Sequence, residues 1–402
     1  MGDPASVTDA DMRALFDITH PAHVHLFKHV IRELEAGGAA VRVLSREKEV
    51  TTDLLDAYGI DHTVLSVKGE SSLDLAREWL LREVRTVRAA RRFEPDVVVS
   101  HLSPAAVHAA RLSGAKSIVF NDQEHPETVP KLTAPLTTAY CTPESYGADR
   151  GARHRRYPGF HELAYLHPDR FSTNVDALRE AGVDPDEPYF VCRFVSMGAY
   201  HDVGESGISP AQREAVVEAL SAHGDVYVSS ESPLPASMEA NRLPVPPHAM
   251  HDLLAEASLL VTDSATMALE AGILGTPVVR SNSIDAGGEF GTLAELADYD
   301  LVVAAPDEGV VEMVERLGTD PDAGDRWRER REALLAEKID VTGYALAVIR
   351  AVAAGRDAPD GTAFTETEAV FGDVPVTDGG ARADTGATVD GSDPGADGDR
   401  TG

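Results

Sequence analysis

The feature that most constrains this chain is a repeated alternation of short apolar, β-branched runs with amphipathic stretches of helical period. Residues 13–17 (RALFD) predict a strand, 24–36 a helix closed by Gly37 and Gly38, 41–44 a strand, 50–58 a helix and 62–67 a strand. A long helical pattern over 73–92 leads to the β-branched run 96–100 (DVVVS), a helix over 104–112 and a strand over 117–120. Strands and helices alternating at this spacing need right-handed crossovers, which give parallel, doubly wound sheets. The rhythm breaks over 141–170, a stretch rich in Pro, Gly, Arg and His, and a linker is expected there. It resumes with strands over 189–195, 225–229, 258–262 and 277–280, alternating with helices over 210–222, 248–257 and 265–274. Helices over 325–337 and 341–354 end the folded part. The predicted fold is therefore α/β: two Rossmann-like domains, 12–165 and 166–355, facing a central cleft. Asp, Gly, Thr and Ala dominate 356–402, and no aromatic follows Phe371, so this tail is expected to be disordered for want of apolar surface.

Charge narrows the function classes. With 67 acidic against 36 basic residues the 402-residue chain carries a formal net charge of −31, which opposes phosphate binding over a broad surface and excludes a generic nucleic-acid binder. Lysine occurs only at 28, 48, 68, 116, 131 and 338, and acid is spread along the whole chain; this predicts adaptation to concentrated salt, where self-repulsion is screened. Cys141 and Cys192 offer no disulfide framework and no zinc spacing. The first residues are acidic, and no apolar run approaches about 18 residues, so the expected protein is cytoplasmic, halophilic and without stable membrane insertion.

In open parallel sheets ligands bind beyond the carboxyl ends of the strands. Neither GxGxxG nor GxxxxGK[ST] is present, which excludes the usual dinucleotide and P-loop readings. The first strand runs into DITHPAHVH (17–25), placing His20 and His23 between a strand and a helix N-terminus, where they suit anion binding or proton transfer near neutral pH. His25 and His29 share a helical face, but no carboxylate supplies a third ligand, so no metal and no cofactor is expected. The sharpest segment is LLVTDSATMALEAGILGTP (259–277). A buried strand meets Asp263 and Ser264, good cap residues, and then a helix of small residues whose first N–H groups, at Ser264, Ala265 and Thr266, can hold a diphosphate. Glu270, about one and a half turns in, can accept both hydroxyls of a ribose. The competing reading has Asp263 capping the helix and Glu270 solvated.

Further groups fall near the expected cleft. Arg193, ending the second domain's first strand, and His201 with Asp202 in the next loop can bind phosphate and position a leaving group; alternatively Arg193 pairs with a carboxylate. The basic run GARHRR (151–156) lies in the expected linker, where it would neutralise local acid. Arg82, Arg85, Arg88 and Arg91 recur every three residues and read as a solvated face more readily than as a membrane-docking stripe.

The segment with Asp263-Ser264, Glu270 and Leu274-Gly275-Thr276-Pro277 resembles the donor site of GT-B glycosyltransferases and of UDP-N-acetylglucosamine 2-epimerases. The loop Thr19 to Val24 is similar in place to the glycine-rich loop of MurG-type transferases, with Pro21 and Ala22 where those carry glycines. Together with Arg193-Phe194-Val195-Ser196, Ala199-Tyr200-His201-Asp202 and Lys338 to Thr342, the pattern over about 13–352 resembles the domain-of-unknown-function family 354. The resemblance implies a GT-B-like fold and a nucleoside-diphosphate sugar as partner. The epimerases carry Gly-Asp where this chain has Ser100-His101, and a second glutamate where it has Ala271. His101, Asp122 and Glu124 remain as acid/base or substrate-binding groups. The expected activity is glycosyl transfer from such a donor to an acceptor, a lipid-linked one included. Ser264, Ala265 and Thr266 would hold the diphosphate, Glu270 the ribose and Arg193 the leaving charge, with His23 on the acceptor side. The alternatives are a sugar-nucleotide 2-epimerase or hydrolase, or a non-catalytic sugar-nucleotide binder.

Overall fold

A computed structural model of the chain describes residues 8–69, 71–124, 127–195, 207–230, 233–282 and 291–364. The first sheet takes β1 (Arg13–Ile18), β2 (Ala40–Glu47), β3 (His62–Val67), β4 (Val97–His101), β5 (Lys116–Phe120), β6 (Ala139–Pro143) and β7 (His154–Tyr157). Between these run α1 (Pro21–Ala36), α2 (Thr51–Ala57), α3 (Ser72–Phe93), α4 (Pro104–Ser113) and α5 (Thr128–Thr133). After α6 (Leu163–Leu166) and α7 (Val175–Glu180), the second sheet takes β8 (Tyr189–Phe194), β9 (Asp225–Ser230), β10 (Leu259–Thr262), β11 (Val278–Arg280) and β12 (Val303–Ala304). Its helices are α8 (Pro210–Ser221), α9 (Met250–Glu256), α10 (Ala265–Leu274), α11 (Gly291–Asp298), α12 (Val310–Gly318) and α13 (Ala323–Leu335), and α14 (Val341–Ala353) follows.

The strand orders are β3-β2-β1-β4-β5-β6-β7 and β12-β11-β10-β8-β9, with every pair parallel. In each sheet the order reverses beside the first strand, at β1/β4 and at β10/β8, which is where a doubly wound sheet opens a crevice at its carboxyl edge. The expected α/β class with two facing doubly wound units is the fold observed. β1 after Arg13, β4 and β10 are buried throughout and mostly apolar because helices cover both of their faces. A contiguous core runs from Phe16 and Phe27 through Leu163 and Tyr344 to Phe190 and Val261, so both sheets share one packed interior. Helix α14 returns to α1 and to the middle of the first sheet at β4 and β5.

Two expectations are corrected. The stretch over 141–170 is not a linker: it supplies the end of β6, all of β7 and helix α6. The arginines of GARHRR do not neutralise acid but bind backbone carbonyls: Arg153 that of Thr137 at 2.6 Å, Arg155 that of Ala358 at 2.8 Å and Arg156 that of Ala148 at 3.0 Å. The chain also packs beyond the point where composition puts the end of order, since Ala358 and Phe364 are buried and Phe364 meets the Tyr344 ring edge-on. Residues 365–402, the rest of the expected tail, lie outside the described residues.

Candidate functional site

The carboxyl ends of β1, β4 and β5 bring together a histidine cluster. His20 caps α1, its Nδ1 accepting from the Ala22 N–H at 3.3 Å, and Pro21 fits the first helical position because no partner is lost there. His23, one turn in, has Nδ1 3.4 Å from the Thr19 N–H and stacks on His101 with ring centroids 4.4 Å apart. His101, the last residue of β4, places Nε2 3.0 Å from Asp122 Oδ1. His161, in the loop after β7, places Nδ1 3.2 Å from the other oxygen of that carboxylate. The donor atoms of His101, Asp122 and His161 lie within 4.8 Å of one another, so among the described residues this trio is the one that can also take a cation. Asp122 spends both oxygens on the two histidines, an arrangement that suits holding and passing a proton.

Charge in this cluster is set by its neighbours. Burial pushes the Asp122 carboxyl up, and His161 and His101 more than offset this, holding it well below the usual range. Burial and then His101 hold His23 well below an ordinary histidine, so it is neutral at neutral pH. His20 is pushed down to about 4, by burial first and Lys48 second. Glu162, next to His161, is 4% exposed and its Oε2 has no hydrogen-bond partner among the described residues; burial and Asp122 raise it well above an ordinary carboxylate.

Glu270 heads a second cluster. The expectation of a solvated carboxylate fails: Glu270 is 5% exposed, and Oε1 lies 2.9 Å from the donating Tyr165 hydroxyl and 3.0 Å from His251 Nε2. His25 meets His251 edge-on at 4.6 Å and lies 5.2 Å from the Tyr165 ring. Lys28 stands 4.6 Å over Tyr58, and burial lowers its ammonium to about 8. With Oε1 doubly engaged, a ribose at Glu270 would have to use Oε2.

At the start of α10 the cap is Ser264, whose hydroxyl accepts from the Met267 N–H at 3.4 Å, and not Asp263. Asp263 is buried and looks the other way, accepting from the Val195 N–H at 2.7 Å and from Arg213 at 3.1 Å. It ties Val195, the residue after β8, to Arg213 of α8. The N–H groups of Ala265 and Thr266 open the helix, where no intrahelical acceptor exists. Arg193 on β8 and Arg280 on β11 stand level with Thr262, one on each side of it. Arg193 donates to Ser229 Oγ at 2.8 Å. Burial lowers Arg280 to about 10.

Glu124 joins the halves. Its Oε1 accepts from the N–H groups of Gly147 and of Gly291, the first residue of α11, each at 3.3 Å. Glycine is required at 291, because a Cβ there would lie 2.1 Å from the Ser145 carbonyl oxygen. His201, with Ser196, Ala199, Tyr200 and Asp202, falls outside the described residues. The sequence reading missed His161, Glu162, Tyr165 and His251. The first three sit in FHELAY (160–165), where a His-Glu pair between aromatics is the available signal.

A family described as "Protein of unknown function (DUF354)" matches residues 12–286. The chain belongs to this family. No curated protein matches it by sequence. Among solved structures, a Listeria monocytogenes protein assigned as a UDP-N-acetylglucosamine 2-epimerase aligns with a TM-score of 0.62 at 15% identity, covering 87% of this chain and 98% of that one. The calicheamicin glycosyltransferase CalG4 aligns with a TM-score of 0.52 at 17% identity, covering 87% and 99%. The UDP-GlcNAc 2-epimerase of Neisseria meningitidis, bound to UDP-GlcNAc, aligns with a TM-score of 0.50 at 14% identity, covering 81% and 100%. At these identities the likeness establishes the fold, which the family member shares with both enzyme types: GT-B.

Proposed function

We propose that this family member binds a nucleoside-diphosphate sugar between its two sheets and transfers the glycosyl group to an acceptor. The observation that carries the reading is the double engagement of α1: His23 stacks on His101 beside Asp122, while His25, two residues on, contacts the His251 and Tyr165 that hold Glu270. One helix thus couples a proton-handling cluster to the helix whose open N-terminus suits a diphosphate. In this reading the first N–H groups of α10 take the diphosphate, aided by Arg193 and Arg280, and Glu270 takes the ribose through Oε2. His23, neutral at neutral pH, accepts the acceptor's proton, and the histidines on Asp122 relay it. Fixed donors aimed at the leaving charge supply most of the stabilisation. Glu124 sets the position of α11 against the first sheet. The acidic surface is proposed to keep the protein soluble in a salt-rich cytoplasm.

A second reading has one specific support. His101 ends β4, Asp122 lies just beyond the adjacent β5, and the two are hydrogen-bonded, which is the equipment for removing and returning a proton on a bound sugar, as an epimerase must.

The test begins with calorimetric titration of nucleoside diphosphates and their sugars in concentrated salt, followed by turnover in deuterated water with candidate acceptors. Transfer releases nucleoside diphosphate only when acceptor is present; epimerisation washes deuterium into the sugar without acceptor. Asp122→Asn should lower turnover by about 10²- to 10⁴-fold while leaving donor binding intact. Failure of every sugar nucleotide to bind would overturn both readings.

A further inference from the structure

The first half of helix α3 carries its apolar residues on the outside, whereas Ala90 and Phe93 of the second half are buried. Leu73 is 84% exposed and Leu80 is 68% exposed, and Trp79, Leu81 and Val84 are each 40% or 41% exposed. At about 100° per residue, Leu73, Arg77, Leu80, Val84 and Arg88 form one outward ridge. Beside it, Val67 on the edge strand β3 is 58% exposed. Water does not favour such a ridge, and nothing else in the described chain covers it.

The basic residues there are equally unusual. An open cavity of about 310 Å³ between α3 and the β2–β3 edge is lined by Arg42, Arg85, Arg88 and Arg92. In a chain of net charge −31, none of these four forms an ion pair among the described residues, whereas Arg46 of the same region pairs with Glu78. Arg42 instead lies over the Phe93 ring at 4.9 Å. Arginines left without carboxylates, next to leucines left without a core, call for an occupant that is both anionic and apolar.

We propose that the outer face of α3, with β3 beside it, docks the protein on an anionic lipid surface. A helix lying in the interface with leucines among the acyl chains and guanidinium groups at headgroup level satisfies both features at once. No described helix is long and apolar enough to cross a membrane, so the contact is peripheral. The overall negative charge does not prevent it: in concentrated salt, charges beyond a few ångströms are screened, and only the groups that touch the surface count. The direction of the helix adds a consequence. α3 begins at the carboxyl end of β3, the edge at which the site lies, so its leucine-rich half sits toward the site and its arginine-rich half away from it. Docking would hold the site's opening beside the bilayer, which is where an acceptor on a lipid would be presented.

Flotation of the full chain with vesicles tests this, using pure phosphatidylcholine and a mixture containing one third phosphatidylglycerol. The parent should float with the anionic vesicles and not with the neutral ones. Arg88→Ser with Arg92→Ser should weaken binding about twenty-five-fold, about fivefold for each arginine, in the lowest salt at which the parent still floats, and less as salt is raised. Leu73→Ser with Leu80→Ser should weaken it by about tenfold or more at any salt. Both pairs are exposed, so unfolding midpoints and sugar-nucleotide binding should stay at parent values. A parent that ignores anionic vesicles, or variants that float as the parent does, would overturn the proposal. So would a parent that is dimeric and becomes monomeric in the leucine variant without vesicle binding, since the face would then belong to a second copy.

Discussion

The Tyr165 hydroxyl donates to Glu270 at 2.9 Å, joining the segment that follows the first sheet to the helix that opens the second sheet's site. His251 shares the same oxygen at 3.0 Å, and all three side chains are buried. Glu270→Ala therefore leaves two buried donors unpaired and should lower unfolding free energy by roughly 2–5 kcal/mol, against almost nothing for a solvated carboxylate. Denaturant unfolding of this variant and of Tyr165→Phe measures it. If Glu270 also holds the ribose, calorimetry should show Tyr165→Phe binding donor nearly as the parent does, and Glu270→Gln binding it roughly ten- to a hundredfold more weakly.

Asp263 and Ser264 are neighbours with separate duties. Ser264→Ala removes the cap of α10 and should cost about 1 kcal/mol. Asp263→Ala strands the Val195 N–H and the Arg213 guanidinium, and should cost more, about 2–4 kcal/mol. Equal losses in the two variants, measured by urea unfolding, would contradict this division.

What could be read in advance follows from where the information resides. β1, β4, β10 and α10 were legible because a strand covered on both faces must be mostly apolar, and because small residues after Asp-Ser leave few alternatives to a helix start. β7 was hidden, since its basic residues satisfy themselves on carbonyls from 137 and 148 and beyond 350, which no local pattern reveals. His20, His23, His101 and Asp122 came from the rule that chemistry follows the strand ends, and the fold gathers them. His161 follows the edge strand β7, which was itself hidden, and Tyr165 and His251 lie on α6 and α9; only tertiary packing brings them to the site. The arginine stripe failed for a geometric reason. A spacing of three drifts by about 60° each step, so Arg82 and Arg91 end about half a turn apart, one facing the core and the other solvent.

Acid should destabilise the fold through its neutral histidines. His23 and His25 are held well below the ordinary value of 6.5, chiefly by burial. The unfolded chain then binds protons that the folded chain refuses, so stability is intact above pH 6.5 and falls as the pH drops below it toward the folded values. Urea unfolding from about pH 7.5 to about pH 5.5 should show this slope, and His25→Gln should reduce it by up to about 1.4 kcal/mol per pH unit. A variant with the parent's slope would mean that His25 is protonated in the folded protein.

Arg82 gives the sharpest contrast with its own helix. It is 0% exposed, pairs with Asp17, and donates to the Ser45 carbonyl at 2.9 Å, while Ser103 donates to the other Asp17 oxygen at 2.6 Å. Arg82 therefore bridges α3 to the middle of the first sheet, from β1 to β2. Arg82→Ala leaves a buried carboxylate with only a serine, a loss of about 3–5 kcal/mol. Arg88→Ala, two turns on and exposed, should change stability by no more than about 0.5 kcal/mol. Arg82→Met keeps the packing volume and separates charge from bulk: its cost should stay near that of alanine, because the stranded Asp17 dominates. Recovery of most of the loss by methionine would show that Arg82 acts as a spacer and not as the partner of Asp17.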